Sequence, residues 1–370
     1  MTASVARFKY VRLLGFRNIS EAEFFPHPHV NVLIGPNGAG KTNVLEALYF
    51  LSRGDSFRCH RPGPLVAHGS PSFSVFGKLD EPRSVGVGFG AGKRLARVNG
   101  NPVEKRSMLA SALPVFYFGP DACDYVDDGP GVRRRFLDWG LFHVEQDYAS
   151  VWQQYRKALQ QRNALLRNNV SSTADYDVWN SALAEFGRRI ELWQRRYVGE
   201  LIPHVTAFLE VLGIPHSVTM DYFPGWRGDE GLEQLLSNSV GRDLRAGFTR
   251  AGVHVCDLII LADGRPAAAM LSRGQRKNVN IALWLARARL QAAHRGVDPV
   301  LLVDDLRSEL DREQFGRVLE LIIAEDAQCF FTDTDRDSWC GPRGRAGALF
   351  HVKQGKITHH QCHDKLPVTD

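Results

Sequence analysis

The chain has 370 residues, 44% hydrophobic and 24% charged, with a formal net charge of +5, which is ordinary for a soluble globular protein of one or two domains. No apolar run approaches the ~20 residues that cross a bilayer, the N-terminal MTASVARFKYVRLLGF has no signal-peptide core, and the six cysteines form no CxxC pair. These features exclude a membrane partner and favour a reducing cytoplasm, while the positive charge suits a polyanionic ligand without proving one.

The first 120 residues alternate between strand and turn patterns. VNVLIG (30–35) is a short apolar strand ending in glycine, and NVLEALYFLS (43–52) follows it with helical periodicity. Three later segments alternate in polarity between Gly and Asn-Gly turns, which predicts antiparallel hairpins. They are SFSVFGKL (72–79), VGVGFG (85–90) and RLARVNGNPV (94–103).

The middle of the chain has helical periodicity. Apolar residues recur every three or four positions from Trp179 to Leu201, and a similar stripe runs from Val144 to Leu159. The polar segment NNVSSTAD (168–175) separates them. The stripes predict an antiparallel helical hairpin that forms a short stalk; two ordinary core helices are an equally good interpretation.

From about residue 255 an α/β pattern returns. The predicted strands are DLIILADG (257–264), PVLLVDDL (299–306) and QCFFTDTD (328–335). The predicted helices are NVNIALWLARARLQAAHR (278–295) and DREQFGRVLELIIAE (311–325). This order predicts an α/β head formed by 1–125 and 250–370, with a mainly helical lobe inserted at 126–249.

A phosphate-binding loop stands between the first predicted strand and helix. GPNGAGKT matches G-x-x-x-x-G-K-[ST] in the strand–loop–helix context that the motif requires, and a chance glycine-rich turn is the alternative. Lys41 would bridge the β- and γ-phosphates of ATP, and the Thr42 hydroxyl would ligate Mg²⁺. The predicted nucleotide-binding residues here are Gly35, Pro36, Asn37, Gly38, Ala39, Gly40, Lys41 and Thr42.

Two acids follow the predicted strand PVLLVDDL. Asp304 and Asp305 would stand at the C-terminal end of a core strand, where α/β proteins bind ligands. Asp304 would hold Mg²⁺ with Thr42, either directly or through water. Asp305 would orient or deprotonate the attacking water, although an aspartate reaches less far than a glutamate. With Lys41 they form the predicted catalytic set. Paired acids can also begin a solvated loop.

The phosphate loop, LSRGQ (271–275) and the DD strand followed by SELD (308–311) resemble, in this order, the ABC-type ATPases of the SMC and DNA-repair group. Within that group, FRN (16–18), SFR (56–58) and RRRFLDW (133–139) resemble the RecF family, and the similarity spans nearly the whole chain. The resemblance implies an ABC-type head of a mixed sheet with helices and an antiparallel β-subdomain, carrying an inserted α-helical lobe.

The resemblance also implies a function. RecF-type proteins are weak, DNA-stimulated ATPases of the cytoplasm that dimerise with ATP on DNA, and they act with RecO- and RecR-type partners at gaps and single-strand/double-strand junctions in recombinational repair and replication. Ser272, Gly274 and Gln275 would then contact the γ-phosphate held by the other subunit, and Asp311 would lie at the dimer junction. A simple helix cap is the alternative for Ser272.

Rival functions and departures from the family pattern stay open. An SMC-like structural head would need longer helical arms than this stripe offers. An ABC transporter subunit would need a shorter interval between the phosphate loop and LSRGQ.

Three residues depart from the family pattern. Asp55, Val255 and Cys256 stand where the family tends to carry charged or basic residues, which removes possible phosphate contacts.

DNA contacts are harder to assign from the sequence. The arginines of the middle region suit the DNA backbone, but a solvated helix face is the alternative for each of them. An Arg135–Asp138 ion pair is a further alternative. The candidates are Arg133, Arg134, Arg135, Arg188, Arg189, Arg195 and Arg196.

Overall fold

The computed structural model describes residues 4–5, 7–59, 61–80, 82–120, 122–170, 172–227, 231–335, 339 and 347–360. The strands are β1 Ser4–Val5, β2 Tyr10–Phe16, β3 Ile19–Phe24, β4 Val30–Ile34, β5 Ser72–Lys78, β6 Ser84–Gly90, β7 Lys93–Val98, β8 Asn101–Pro102, β9 Val115–Phe118, β10 Val218–Phe223, β11 Asp257–Ala262, β12 Arg265–Pro266, β13 Val297–Asp298, β14 Val300–Val303, β15 Gln328–Asp333, β16 Gly347–Lys353 and β17 Lys356–His360. The helices are α1 Lys41–Arg53, α2 Arg106–Ala112, α3 Pro130–Val144, α4 Tyr148–Arg167, α5 Ala174–Leu212, α6 Leu232–Ala246, α7 Ala267–Met270, α8 Arg273–Arg295, α9 Leu306–Glu309 and α10 Arg312–Ala324. In the described ranges none of these helices combines the length and the apolar character that spanning a membrane requires.

The chain divides into two compact units. One comprises Met1–Ala122 and Ala292–Asp370, and the other comprises Cys123–Gln291. The second boundary differs from the predicted one at 250, because β11 pairs antiparallel with β10 over its whole length and so belongs with the helical unit. The pattern of 257–264 indicates a strand, but it carries no information on which strand will pair with it.

A six-stranded mixed sheet forms the centre of the first unit. Its order is β17-β16-β4-β15-β14-β9, with β17 antiparallel to β16 and the other neighbours parallel. Every residue of β4, β14 and β15 is buried, as is typical of parallel strands covered on both faces. The three strands predicted from apolar runs are therefore confirmed, and their carboxyl ends lie side by side.

A second six-stranded sheet is antiparallel, in the order β3-β2-β5-β6-β7-β8. It confirms the hairpins predicted over 72–103. Asn99 and Gly100 both have positive φ, 51° and 80°, between β7 and β8, as the favoured two-residue hairpin turn requires. The strands β2 and β3 precede this region and were not predicted.

The core of the first unit surrounds α1. Val44, Leu48 and Leu51 of this helix are completely buried in one cluster with residues of both large sheets. The rings of Phe16 and Phe50 each meet Phe73 edge-to-face, at centroid distances of 5.1 and 5.3 Å. Burying this face of α1 against rigid strands holds the helix N-terminus, and the loop before it, in a defined place.

The helical unit contains the predicted hairpin, formed by α4 and α5, which pack together. The stripe of α5 is buried at Leu183, Ile190 and Leu201. However, α5 also packs against α3, α6 and β10, so the pair consists of core helices of a compact unit, and the stalk interpretation does not hold.

A buried ion pair ties the helices of this unit together. Arg162 of α4 is fully buried and donates hydrogen bonds to Asp243 of α6 and Asn180 of α5, both at 2.8 Å. Its remaining donors bind the hydroxyl of Thr249 and the carbonyl oxygen of Leu236, at 2.8 and 3.0 Å. A buried charge needs this degree of pairing, because it has given up its hydration.

Candidate functional site

The loop 35–42 connects β4 to α1 at the carboxyl edge of the mixed sheet. Gly40 caps the helix with φ of 111°, and a Cβ there would lie 2.7 Å from Oδ1 of Asn18. Gly38 also has a left-handed φ, 78°. Asn18 and Gly355 hold the loop by donating to the carbonyl oxygen of Ala39, at 3.2 and 2.9 Å. The glycines thus allow the tight curl that a phosphate loop needs.

Lys41 lies folded back onto this loop. Its Nζ donates to the carbonyl oxygens of Gly35 and Pro36, at 2.7 and 3.0 Å. Burial lowers the pKa of Lys41, while Asp304 and Asp305 oppose that shift. A phosphate group would supply negative charge beside this buried ammonium.

Asp304 follows β14 and is 5% exposed. Thr42 and Thr332 both donate their hydroxyls to its Oδ1, at 3.0 and 2.6 Å. The Tyr117 hydroxyl lies 3.4 Å from its Oδ2. Burial raises the pKa of Asp304, and the hydrogen bonds from Thr332 and Thr42 oppose that shift. The carboxylate is therefore held in place by groups on three separate elements, α1, β15 and β9.

Asp305 is the next residue and is exposed. Its φ of 48° is left-handed, an uncommon conformation for a non-glycine residue that is often found at functional sites. Its backbone N–H donates to Oγ1 of Thr332 at 2.9 Å, so one threonine positions both acids. Thr332 lies inside the apolar run QCFFTD, where the sequence pattern indicates a strand but gives this residue no role at a site.

These groups surround one cleft of about 190 Å³. That volume is below the ~300–1,000 Å³ of sites that enclose a drug-sized ligand, so it fits phosphate groups better than a whole nucleotide. Its lining residues are Asn37, Gly38, Gly40, Lys41, Thr42, Asn43, Arg58, Asp304, Asp305, Thr332 and Thr334. The structure thus brings together the phosphate loop and both predicted acids.

Arg58 also lines this cleft, a position that the SFR motif alone does not indicate. It donates to Oδ1 of Asn43 at 3.1 Å and lies 4.0 Å from Oε2 of Glu46. Glu46 is completely buried and accepts two hydrogen bonds from Arg17, at 2.7 and 2.9 Å, and one from the Ser56 hydroxyl at 2.5 Å. The glutamate inside the apolar helix pattern NVLEALYFLS is the sequence signal for these arginine partners, because a glutamate is rarely buried without a partner.

The segment LSRGQ forms the N-terminus of α8 in the helical unit. The backbone N–H of Ser272 donates to Oε1 of Gln275 at 2.8 Å, and the N–H of Gln275 lies 3.4 Å from Oγ of Ser272. This reciprocal arrangement is a capping box, so the helix-cap alternative describes the local structure. Gly274 is exposed, and an added Cβ there would meet no atom within 4 Å.

Asp311 caps α10, accepting a hydrogen bond from the N–H of Gln314 at 2.9 Å. Asp55, a departure from the family pattern, accepts a hydrogen bond from Arg106 at 3.0 Å and lies 3.8 Å from Arg94. Another departure, Cys256, is buried, which raises the pKa of its thiol to about 12. These three residues have local structural roles.

Most of the arginines considered for DNA have protein partners. Arg133 binds both carboxylate oxygens of Asp257, at 2.7 and 2.9 Å, and Arg134 donates to the carbonyl oxygen of Cys256 at 3.0 Å. Arg189, Arg195 and Arg196 lie in ion pairs. The alternative of an Arg135–Asp138 pair is not observed, because Asp138 accepts from the Tyr148 hydroxyl at 2.6 Å.

Comparisons with known proteins agree with this architecture. A family model described as RecF/RecN/SMC N terminal domain matches residues 7–338. DNA replication and repair protein RecF of Pseudomonas syringae pathovar tomato is 36% identical over 363 residues, 96% of this chain and 98% of that protein. RecF of Pseudomonas fluorescens is 37% identical over 365 residues, with the same coverage of 96% and 98%.

Solved structures give the same result. The structure of the recombination mediator protein RecF–ATP in the RecFOR pathway has a TM-score of 0.81 at 26% identity, covering 98% of this chain and 99% of that one. The Smc head domain of Pyrococcus furiosus, with its extended coiled coil, has a TM-score of 0.60 at 16% identity and 96% coverage of both chains, which shows a shared fold. The predicted fold class is therefore confirmed.

Proposed function

This chain belongs to the RecF family of DNA replication and repair proteins, and we propose that it acts as an ATP-operated switch that binds DNA. One observation carries the proposal: the phosphate loop, Asp304 and Asp305 converge on a single cleft at the carboxyl ends of the parallel strands of the mixed sheet. This is where α/β proteins bind nucleotides. A similar RecF is described with ATP, which supports ATP as the nucleotide here.

The loop residues Gly35 to Thr42 would hold the phosphates through backbone N–H groups and the positive end of α1. Lys41 would exchange its bonds to Gly35 and Pro36 for the β- and γ-phosphates, since its present partners are carbonyl oxygens on the same loop. Arg58, which lines the cleft, is a further cation within reach of the phosphate region.

The residues present fit a Mg²⁺ ion. The Thr42 hydroxyl and the Asp304 carboxylate meet at 3.0 Å, and both are the hard oxygen donors that Mg²⁺ prefers. When bound, the ion would neutralise charge on the phosphate oxygens. Thr332 and Tyr117 keep Asp304 in its orientation, and Asp305, exposed in the same cleft, would orient or deprotonate water.

Dimerisation would complete the site. Ser272, Gly274 and Gln275 lie at an exposed helix N-terminus with no acidic residue in its first turn, which suits a phosphate presented by a second copy of the chain. Asp311 would lie at the junction between the copies. Slow, DNA-stimulated hydrolysis would then release the dimer from DNA.

The biological setting follows from the family. We infer a cytoplasmic role at gapped DNA and single-strand/double-strand junctions, without sequence preference, together with RecR- and RecO-type proteins. The similar RecF–ATP structure is placed in the RecFOR pathway, which supports partners of this kind. The Smc head shares the fold at only 16% identity, so a structural chromosome ATPase is the less favoured function.

The test is light scattering of the full chain with and without ATP and Mg²⁺, repeated with gapped DNA. We expect ATP-dependent dimers in the wild type, no association of Lys41→Met, and ATP binding without association in Ser272→Arg. Lys93→Met, which changes an exposed strand residue, is the matched control and should dimerise normally. Unchanged dimers of Lys41→Met would contradict the switch, and normal hydrolysis by Ser272→Arg would contradict the role across the dimer.

A further inference from the structure

A larger cleft of about 690 Å³ lies within the helical unit, between α3 and α4. None of the residues discussed for ATP lines it. Its lining includes the rings of Trp139, Phe142 and Trp152 and the cationic side chains of Arg135, Arg156 and Lys157, which is an unusual composition for a surface that only covers a core.

The helix periodicity makes this cleft a continuous groove. On α3 its lining residues are spaced three or four apart from Arg135 to Phe142, and on α4 the same spacing runs from Ala149 to Gln160. Residues with this spacing share one helix face. Eleven helical steps on α4 correspond to a groove about 16 Å long.

The aromatic rings form a supported platform. Trp152 lies near-parallel to Tyr148 and Tyr155, with interplanar angles of 8° and 10° and centroid distances of 6.2 and 5.5 Å. Arg287 lies 4.5 Å from the ring of Trp139. Phe142 is 39% exposed. Rings held in this way, yet reachable from solvent, can stack with a planar ligand at little cost in side-chain entropy.

The cations of the groove are available to a ligand. Arg135, Arg156 and Lys157 are exposed, and the described part of the chain offers none of them an ion-pair partner within 4.0 Å. Among the described lining residues Asp138 is the one carboxylate, and it is engaged by Tyr148. The groove therefore presents a net positive charge beside its rings.

We propose that this groove binds single-stranded nucleic acid, with bases stacked on Trp152 and Phe142 and phosphates paired with Arg156, Lys157 and Arg135. Aromatic rings beside cations are the recurrent composition of single-strand grooves. Gln153 and Gln160 on the same helix face add amides that can meet base edges.

Two other ligands match the groove less well. A duplex hides the faces of its bases, and an acidic peptide would pair with the cations without using a row of rings. The inference rests on the proposed DNA binding and deepens it, because it assigns the unpaired strand of a gap to a surface separate from the ATP cleft.

The expected effects are measurable. Loss of one stacking ring costs about 5- to 150-fold in affinity. A single strand releases about 0.7 counterions for each phosphate neutralised, so removal of two cations should reduce the slope of log K against log salt by about 1.4.

The experiment measures fluorescence anisotropy of a labelled short oligothymidylate, an abasic strand of equal length and a duplex, each with the full chain. The variants are Trp152→Ala, its conservative partner Trp152→Phe, and the double variant Arg156→Gln with Lys157→Gln. The matched controls are Trp179→Ala and Arg167→Gln, which change an aromatic residue of α5 and an exposed cation of α4 outside the groove. Thermal melts establish that each variant is folded.

Three results would support the proposal. Oligothymidylate should bind more tightly than the abasic strand, and Trp152→Ala should weaken the binding of oligothymidylate while Trp152→Phe restores it. The double variant should reduce the salt dependence of binding. Equal affinities for the two strands, or full binding by folded Trp152→Ala and the double variant, would overturn the proposal, as would displacement by an acidic peptide alone. Absence of binding to any DNA would instead refute the proposed function itself.

Discussion

Replacement of Gly274 by alanine separates the folding role of the LSRGQ segment from its proposed role toward a second copy of the chain. Gly274 is the second residue of α8, is exposed, and an added Cβ meets no atom within 4 Å. Alanine has less freedom in the unfolded chain and a better helix propensity. The free energy of unfolding should therefore rise by about 0.5–1 kcal/mol, and Tm by about 1–4 °C.

The same substitution, Gly274→Ala, should weaken the ATP-dependent association of two copies of the chain. If the backbone of Gly274 approaches the γ-phosphate bound to the partner, an extra methyl group forces an overpacked contact that costs about 1–3 kcal/mol. ATP-dependent dimerisation should then weaken by about 5- to 150-fold, while ATP binding by the monomer is unchanged.

The assay combines urea unfolding with light scattering over a concentration series, with ATP and Mg²⁺ present. Gly241→Ala is the matched control, because Gly241 is also an exposed helical glycine whose added Cβ meets no atom within 4 Å. It should show the gain in stability without any loss of association. A stabilised Gly274→Ala that dimerises as tightly as Gly241→Ala would refute the role of Gly274 across the dimer.

Two further predictions concern the helical unit. Arg162→Met leaves the carboxylate of Asp243 buried without its cation and should lower the free energy of unfolding in urea by about 3–5 kcal/mol. The double variant Arg162→Met with Asp243→Leu should recover part of that loss. Equal losses of stability in the single and double variants would contradict the ion-pair argument. His254 donates from Nε2 to the carbonyl oxygen of Thr249 and accepts from Tyr155, and burial lowers its pKa. The neutral imidazole therefore stabilises the fold above its usual pKa, and the free energy of unfolding should fall as the pH drops from 7.5 toward 5. His254→Asn should show a smaller fall. The same pH dependence in His254→Asn and the wild type would contradict this assignment.

Much of the proposed nucleotide cleft could be predicted from the sequence, because its parts are local. GPNGAGKT specifies its own loop geometry through glycines at 38 and 40, and the apolar run before Asp304 specifies a buried strand. The parallel-sheet rule then places both at one edge. Thr332 and Tyr117 could not be assigned in this way, because their contacts with Asp304 depend on which strands become neighbours.

Local sequence patterns do not reveal which residues the charged side chains will contact. RRR at 133–135 is one basic cluster in the sequence, yet Arg133 and Arg134 are held by Asp257 and Cys256, far along the chain, and only Arg135 is left at the cleft. The stripe on α5 likewise predicts a helix but not its neighbours, which include α6 and β10 as well as α4.

The sequence by itself determined the secondary structure around the motifs, the order of the functional segments and the family, since these depend on residues close together in the chain. Tertiary structure alone decided the partner of β11, the partners of the arginines, and the meeting of two helix faces in an aromatic, cationic groove. The physical reason is that hydrogen bonds within helices and turns join near neighbours, whereas strand pairing, ion pairs and clefts join distant residues whose contact exists only after the chain has packed.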